Sequence, residues 1–138
     1  MSDGDVMSDG RARLDALLED AHEALRSEDL ESALDLFLVA AQLDPDRLEI
    51  EGYVDRVRSR LLESYRARIG EPKAVPKLLV DGGEVRRFNL APDAGFILSL
   101  VDGSTNFEQL VSLSGMAAFE TFRNLCALLD AGVLGVDA

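Results

Sequence analysis

Apolar and polar positions alternate along this chain with two periods. From about Arg11 to Arg26, Leu14, Leu17, Leu18, Ala21 and Leu25 recur every three or four residues, which predicts a helix with one apolar stripe. From about Leu30 to Leu43 the chain is apolar nearly all round, at Leu30, Ala33, Leu34, Leu36, Phe37, Leu38, Val39, Ala40 and Ala41, so a second helix is expected to be covered on more than one side. After Asp44-Pro45-Asp46 a third helix is expected, with Asp46 and Glu49 as a capping box and a stripe of Ile50, Tyr53, Val54, Val57, Leu61, Tyr65 and Ile69. Gly70 is placed to stop it.

The pattern then changes. Two prolines, Pro72 and Pro76, predict a linker over 71–77. Leu78-Leu79-Val80 and Glu84-Val85-Arg86-Arg87-Phe88 flank Asp81-Gly82-Gly83 and predict a β-hairpin. Pro92 suits the first position of a helix carrying Phe96, Ile97, Leu98, Leu100 and Val101. Thr105 and Glu108 have capping-box spacing and predict a short helix through Leu113. A last helix is expected from about Ala117 to Asp130, burying Phe119, Phe122, Leu125, Cys126 and Leu129, followed by a return strand over 133–136. The fold class is therefore mainly α with a small β-sheet. The expected organisation is a disordered, repetitive start over 1–10 (Met-Ser-Asp-Gly occurs twice, as a second start codon or a cloning remnant would leave it), a helical unit over 11–70, the linker, and a second unit over 78–138.

Composition narrows the function. The chain has 138 residues, 47% of them apolar, enough for one domain or two small ones. Acids number 26 against 14 bases, a net charge of −12, which argues against general nucleic-acid binding and anionic membranes. One His, His22, and one Cys, Cys126, leave no His/Cys metal site to build, and no cofactor is expected. No nucleophile–base–acid set or phosphate loop stands out, so the chain reads as no enzyme, with no small-molecule substrate. The acidic start lacks the apolar core of a signal peptide and no stretch is long enough to span a bilayer, so a cytoplasmic location is expected. Arginine supplies twelve of the bases and lysine two, as in proteins of GC-rich bacteria.

Asp15 to Asp46 resembles a tetratricopeptide repeat. Ala33, Phe37, Ala40 and Pro45 fill that family's small, aromatic, small and proline places, and Ala21 suits the small place of the first helix; Ala24 stands where a larger residue is usual. The third helix then has the place of a cap for a lone repeat. Val75 to Val136 resembles a winged helix-turn-helix. Asp93-Ala94-Gly95-Phe96-Ile97-Leu98-Ser99-Leu100-Val101-Asp102-Gly103-Ser104-Thr105 and Leu128-Leu129-Asp130-Ala131-Gly132-Val133-Leu134 are similar to the winged-helix modules joined to such repeats in myxobacterial multidomain regulatory proteins, and to the peptide-recognition elements of ribosomal-peptide maturation systems.

The resemblance implies an adaptor or regulatory subunit in a bacterial signalling, polarity or motility assembly, whose partner is another protein or a second copy. In a repeat-like unit Asp15, Leu18, His22, Leu25 and Arg26 would face the peptide-receiving groove. Arg56 and Arg60 flank one edge of the third helix's apolar face and are candidates for partner docking. Two rivals remain open. A peptide-recognition element would add a ligand strand beside Val85, Arg86, Arg87 and Phe88, with Arg123 nearby. A transcription regulator would read DNA with the last helix, but Glu120, Arg123 and Asp130 give that helix a net charge of −1.

Overall fold

The computed structural model describes the backbone of residues 3–136 and the side chains of residues 10–136. It is mainly helical with a small two-stranded antiparallel sheet. Helices α1 (Asp3–Arg26), α2 (Leu30–Leu43) and α3 (Leu48–Ile69) come first. Strand β1 (Pro76–Leu78), the single-turn α4 (Gly82–Val85) and a 3-10 turn (Arg86–Phe88) follow. Then come α5 (Pro92–Leu100), α6 (Phe107–Ser114), α7 (Ala118–Asp130) and β2 (Leu134–Val136). The chain divides into two compact units between Leu61 and Leu62, inside α3.

Unit 1 is built by α1, α2 and the first part of α3. Ala21, Ala33, Phe37 and Ala40 are fully buried, as is Ile50 of α3. Small residues on α1 and α2 let the helix backbones approach, and the Phe37 ring fills the space they leave. Leu14, Ala40 and Ile50 form one cluster against which Leu18 and Ala41 pack. The turn between α1 and α2 places Glu28 at φ +61°, and the Asp29 carboxylate accepts the Ser32 N–H to cap α2. α2 buries Ala33, Leu34, Phe37 and Ala40 and leaves Val39 and Leu43 45% and 50% exposed.

Two expectations change here. Met1 and Ser2 lie outside the described residues, but from Asp3 the backbone is helical, so the segment expected to be disordered mostly extends α1. The Asp46/Glu49 capping box is replaced: α3 starts at Leu48, and the Glu49 carboxylate accepts from Arg47 Nε instead. That bond, helped by the charges of Glu49, Asp15 and Asp44, pushes the Arg47 guanidinium up from its ordinary value. Gly70 does end α3, at φ +79°.

Unit 2 holds the end of α3 and everything after it. The predicted linker belongs to this unit. Its Pro72 and Ala74 carbonyls accept the Glu108 and Phe107 N–H groups, which the first turn of α6 cannot pair within the helix. Asn106 and Gln109 close a capping box at the same end, one residue beyond the expected Thr105/Glu108 pair. The shift has a cause: Thr105 is bound, through N–H and hydroxyl, to the Asp102 carboxylate. The expected hairpin is absent from the described residues. The Asp81 carboxylate accepts the Glu84 N–H at 2.7 Å, so Gly82-Gly83 turn into a helix rather than a hairpin. β1 pairs with β2 in an antiparallel register of Pro76↔Val136, Lys77↔Gly135 and Leu78↔Leu134. The return strand therefore forms, over Leu134–Val136 and paired with β1.

α7 buries Thr121, Leu125, Cys126 and Leu128, while Phe119, Phe122 and Leu129 are half-buried. Its buried face is rotated from the expected one because Ser114 and Thr121 share a buried hydroxyl hydrogen bond of 2.9 Å. A buried hydroxyl must be paired, and this pair seats Thr121 inward.

Candidate interaction cleft

In unit 1, α1, α2 and α3 each supply one ring to a cluster. The His22 imidazole meets Phe37 edge-on at 5.3 Å and Tyr53 edge-on at 4.8 Å, and Phe37 and Tyr53 stack at 5.2 Å. Edge-to-face contact places ring hydrogens against an electron-rich face, which fixes ring orientation beyond simple burial. Phe37 is fully buried, whereas His22 and Tyr53 are half-buried and reach the surface.

Their outer edges line a cleft of about 290 Å³ together with Leu25, Val57, Arg56 and Arg60. Tyr53, Arg56, Val57 and Arg60 share one face of α3 because they stand three and four residues apart. The Arg56 guanidinium carbon lies 5.8 Å from the Tyr53 ring centroid, within cation–π range. Chemically the cleft offers an apolar and aromatic floor with two cationic groups beside it.

His22, Leu25, Arg56 and Arg60 of the sequence-predicted residues are thus brought together. The other three are not. Leu18 is packed against the Leu14–Ala40–Ile50 cluster, Arg26 pairs with Glu23 at 2.6 Å, and Asp15 is exposed outside the cleft lining. Tyr53 and Val57 were legible as stripe residues of α3, but only the three-helix packing reveals them as cleft residues.

The proposed strand-addition edge does not form. Val85 ends α4, and Arg86, Arg87 and Phe88 form a 3-10 turn, because the Asp81 cap commits that stretch to helical backbone. A ligand strand needs extended backbone with free N–H and C=O groups, which this turn does not present. Arg123 is half-buried on α7.

Unit 2 has a second depression, about 380 Å³, lined by Ile69, Phe107, Val111 and Phe122 with Arg66 and Glu108 among the polar groups. The Arg66 guanidinium carbon stands 5.5 Å from the Phe122 ring centroid. A base and an acid both line it, so its charge selects no ligand.

Besides Arg47, two titrating groups depart clearly from their ordinary values, both in unit 2. Asp102 is held down at about 2 by the Ser104 backbone N–H, the Thr105 hydroxyl and further bonds from the same two residues. Cys126 is pushed up to about 11, first by burial and then by the Asp130 charge, with Arg68 opposing. Its thiol donates to the Tyr65 carbonyl at 3.4 Å. Among the described residues no three His, Cys, Asp or Glu side chains gather as a metal site, and no helix is long and apolar enough to cross a membrane.

Comparison with protein families, curated proteins and solved structures finds no match to this chain.

Proposed function

We propose that the protein is a non-catalytic interaction adaptor or regulatory subunit of a bacterial cytoplasmic assembly, and that the unit 1 cleft receives a segment of its protein partner. The carrying observation is the cleft itself: half-buried His22 and Tyr53 beside Leu25 and Val57, with Arg56 and Arg60 alongside. Aromatic and arginine side chains are the types that dominate protein-binding energy. The repeat-like reading of unit 1 draws support from the complete burial of Ala21, Ala33, Phe37 and Ala40, the positions the tetratricopeptide pattern reserves for packing. The winged-helix-like reading of unit 2 draws support from α6 and α7, joined across a short turn at Gly115, and from the strand that follows them. A signalling, polarity or motility setting rests on the resemblance alone.

Site-directed photocrosslinking in the host tests the cleft. A photoreactive residue at Leu25 is expected to give one discrete protein adduct, and the same residue at exposed Val39 of α2 is expected to give none. Equal labelling from both positions, or none from Leu25, would overturn the reading.

A further inference from the structure

The charge of the cleft identifies the partner's chemistry. Residues 1–61 carry sixteen acids and seven bases, a net of −9. In that acidic setting the charged residues lining the cleft are two arginines. Among the described residues neither Arg56 nor Arg60 makes an ion pair, whereas Arg26, Arg47 and Arg68 each do. The two are one helical turn apart on α3, where like charges repel by about 0.2–0.5 kcal/mol. A carboxylate between them removes that repulsion and gains charge-assisted hydrogen bonds.

We propose that the cleft binds a short acidic peptide segment of a partner protein, with an apolar side chain seated against Leu25 and the Tyr53 ring and its carboxylates paired with Arg56 and Arg60. The inference rests on the reading of the cleft as a peptide site. The acidic remainder of unit 1 limits the ligand's length. Charges separated by more than about 8 Å are largely screened at physiological salt, so acids of unit 1 beyond that distance do not oppose a short acidic ligand. A nucleic-acid strand would carry its phosphates beyond the cleft and across a surface where acids far outnumber bases.

The test uses the full chain and a phage-displayed library of random peptides, followed by fluorescence anisotropy with the selected peptides. Selection should enrich Asp or Glu next to Leu, Ile or Phe. Arg56→Gln/Arg60→Gln should weaken the selected peptide by about tenfold or more, which corresponds to about 1.4 kcal/mol. Arg56→Lys/Arg60→Lys should recover part of that loss. Added salt should weaken wild type more than the Gln pair. Both arginines are exposed, and an unchanged circular dichroism melt would show that the fold is kept.

The failures are separable. If no peptide is selected, or every selected peptide is insensitive to Leu25→Glu, the cleft is not a peptide site and both readings fall. If peptides need Leu25 but lack acids, or bind the Gln pair equally well, the acidic partner alone is overturned. A single-stranded oligonucleotide that binds more tightly than the best peptide, with the same arginine dependence, would overturn it in favour of nucleic acid.

Discussion

The His22 imidazole stands edge-on to the Tyr53 ring, with 4.8 Å between centroids and 85° between planes. The contact joins α1 to α3 at the cleft, so the same two side chains stabilise unit 1 and shape its binding surface. Such ring pairs contribute about 0.5–1.5 kcal/mol beyond area burial. A double-mutant cycle of His22→Ala and Tyr53→Ala should therefore return a coupling energy in that range, read from urea unfolding. Additive effects of the two substitutions would mean that the rings do not interact.

Phe37 carries more of the core. It is fully buried, stacked on Tyr53 and touched by His22. Phe37→Ala should destabilise the chain by about 3–5 kcal/mol, the usual cost of emptying a buried Phe site. An unchanged thermal melt would remove the packing described for unit 1.

The helices of unit 1 were legible in the sequence because Leu14, Ala21, Phe37, Ile50 and Val57 repeat with a helical period and that period survives folding. So were four cleft residues, His22, Leu25, Arg56 and Arg60, from their places on helix faces. What escaped was set by short polar contacts. Asp81 could begin a turn or cap a helix, and Gly82-Gly83 permits both; the capping bond to Glu84 selects the helix and removes the hairpin. Thr105 and Asn106 are both good caps, and Asp102 decides between them by binding Thr105. The inward turn of α7 depends on Ser114 meeting Thr121, two residues on different helices that no apolar period connects.

Gly115 ends α6 at φ +69°, and no heavy atom lies within 4 Å of where its Cβ would be. Gly115→Ala should therefore cost backbone strain alone, about 1–2 kcal/mol. Gly115→Asn should cost less, since Asn tolerates this conformation. Equal losses for Ala and Asn in chemical denaturation would point to a clash and contradict the open space at this turn.

Asp102 sets a pH window. Its native pKa of about 2 lies below the roughly 3.9 of an unfolded Asp. Its contribution to stability is therefore complete above the unfolded value and is lost as pH falls toward about 2. Carboxyl carbon NMR should find Asp102 still ionised at pH values where ordinary Asp residues have become mostly protonated. Thr105→Val, which removes the hydroxyl donor, should raise the midpoint. A native midpoint in the ordinary range would mean that the four bonds from Ser104 and Thr105 do not form in solution.

Cys126 gives the opposite sign. The side chain is 4% exposed and its thiol donates to the Tyr65 carbonyl. Burial and the Asp130 charge raise its pKa to about 11, against Arg68. The neutral thiol is the form that the fold favours. Its contribution is complete below the unfolded value of roughly 8.5 and is lost as pH rises through about 11. Only the thiolate attacks a disulfide reagent, so at pH 8 the native chain presents roughly one reactive molecule in a thousand, in a site that also blocks access. Labelling with Ellman's reagent should be very slow in the native state and complete within seconds in guanidinium chloride. Asp130→Asn removes an anion that opposes ionisation, and should speed native labelling without exposing the sulfur. Fast stoichiometric labelling of the native wild type would place Cys126 at the surface and undo the packing of α7 against Tyr65.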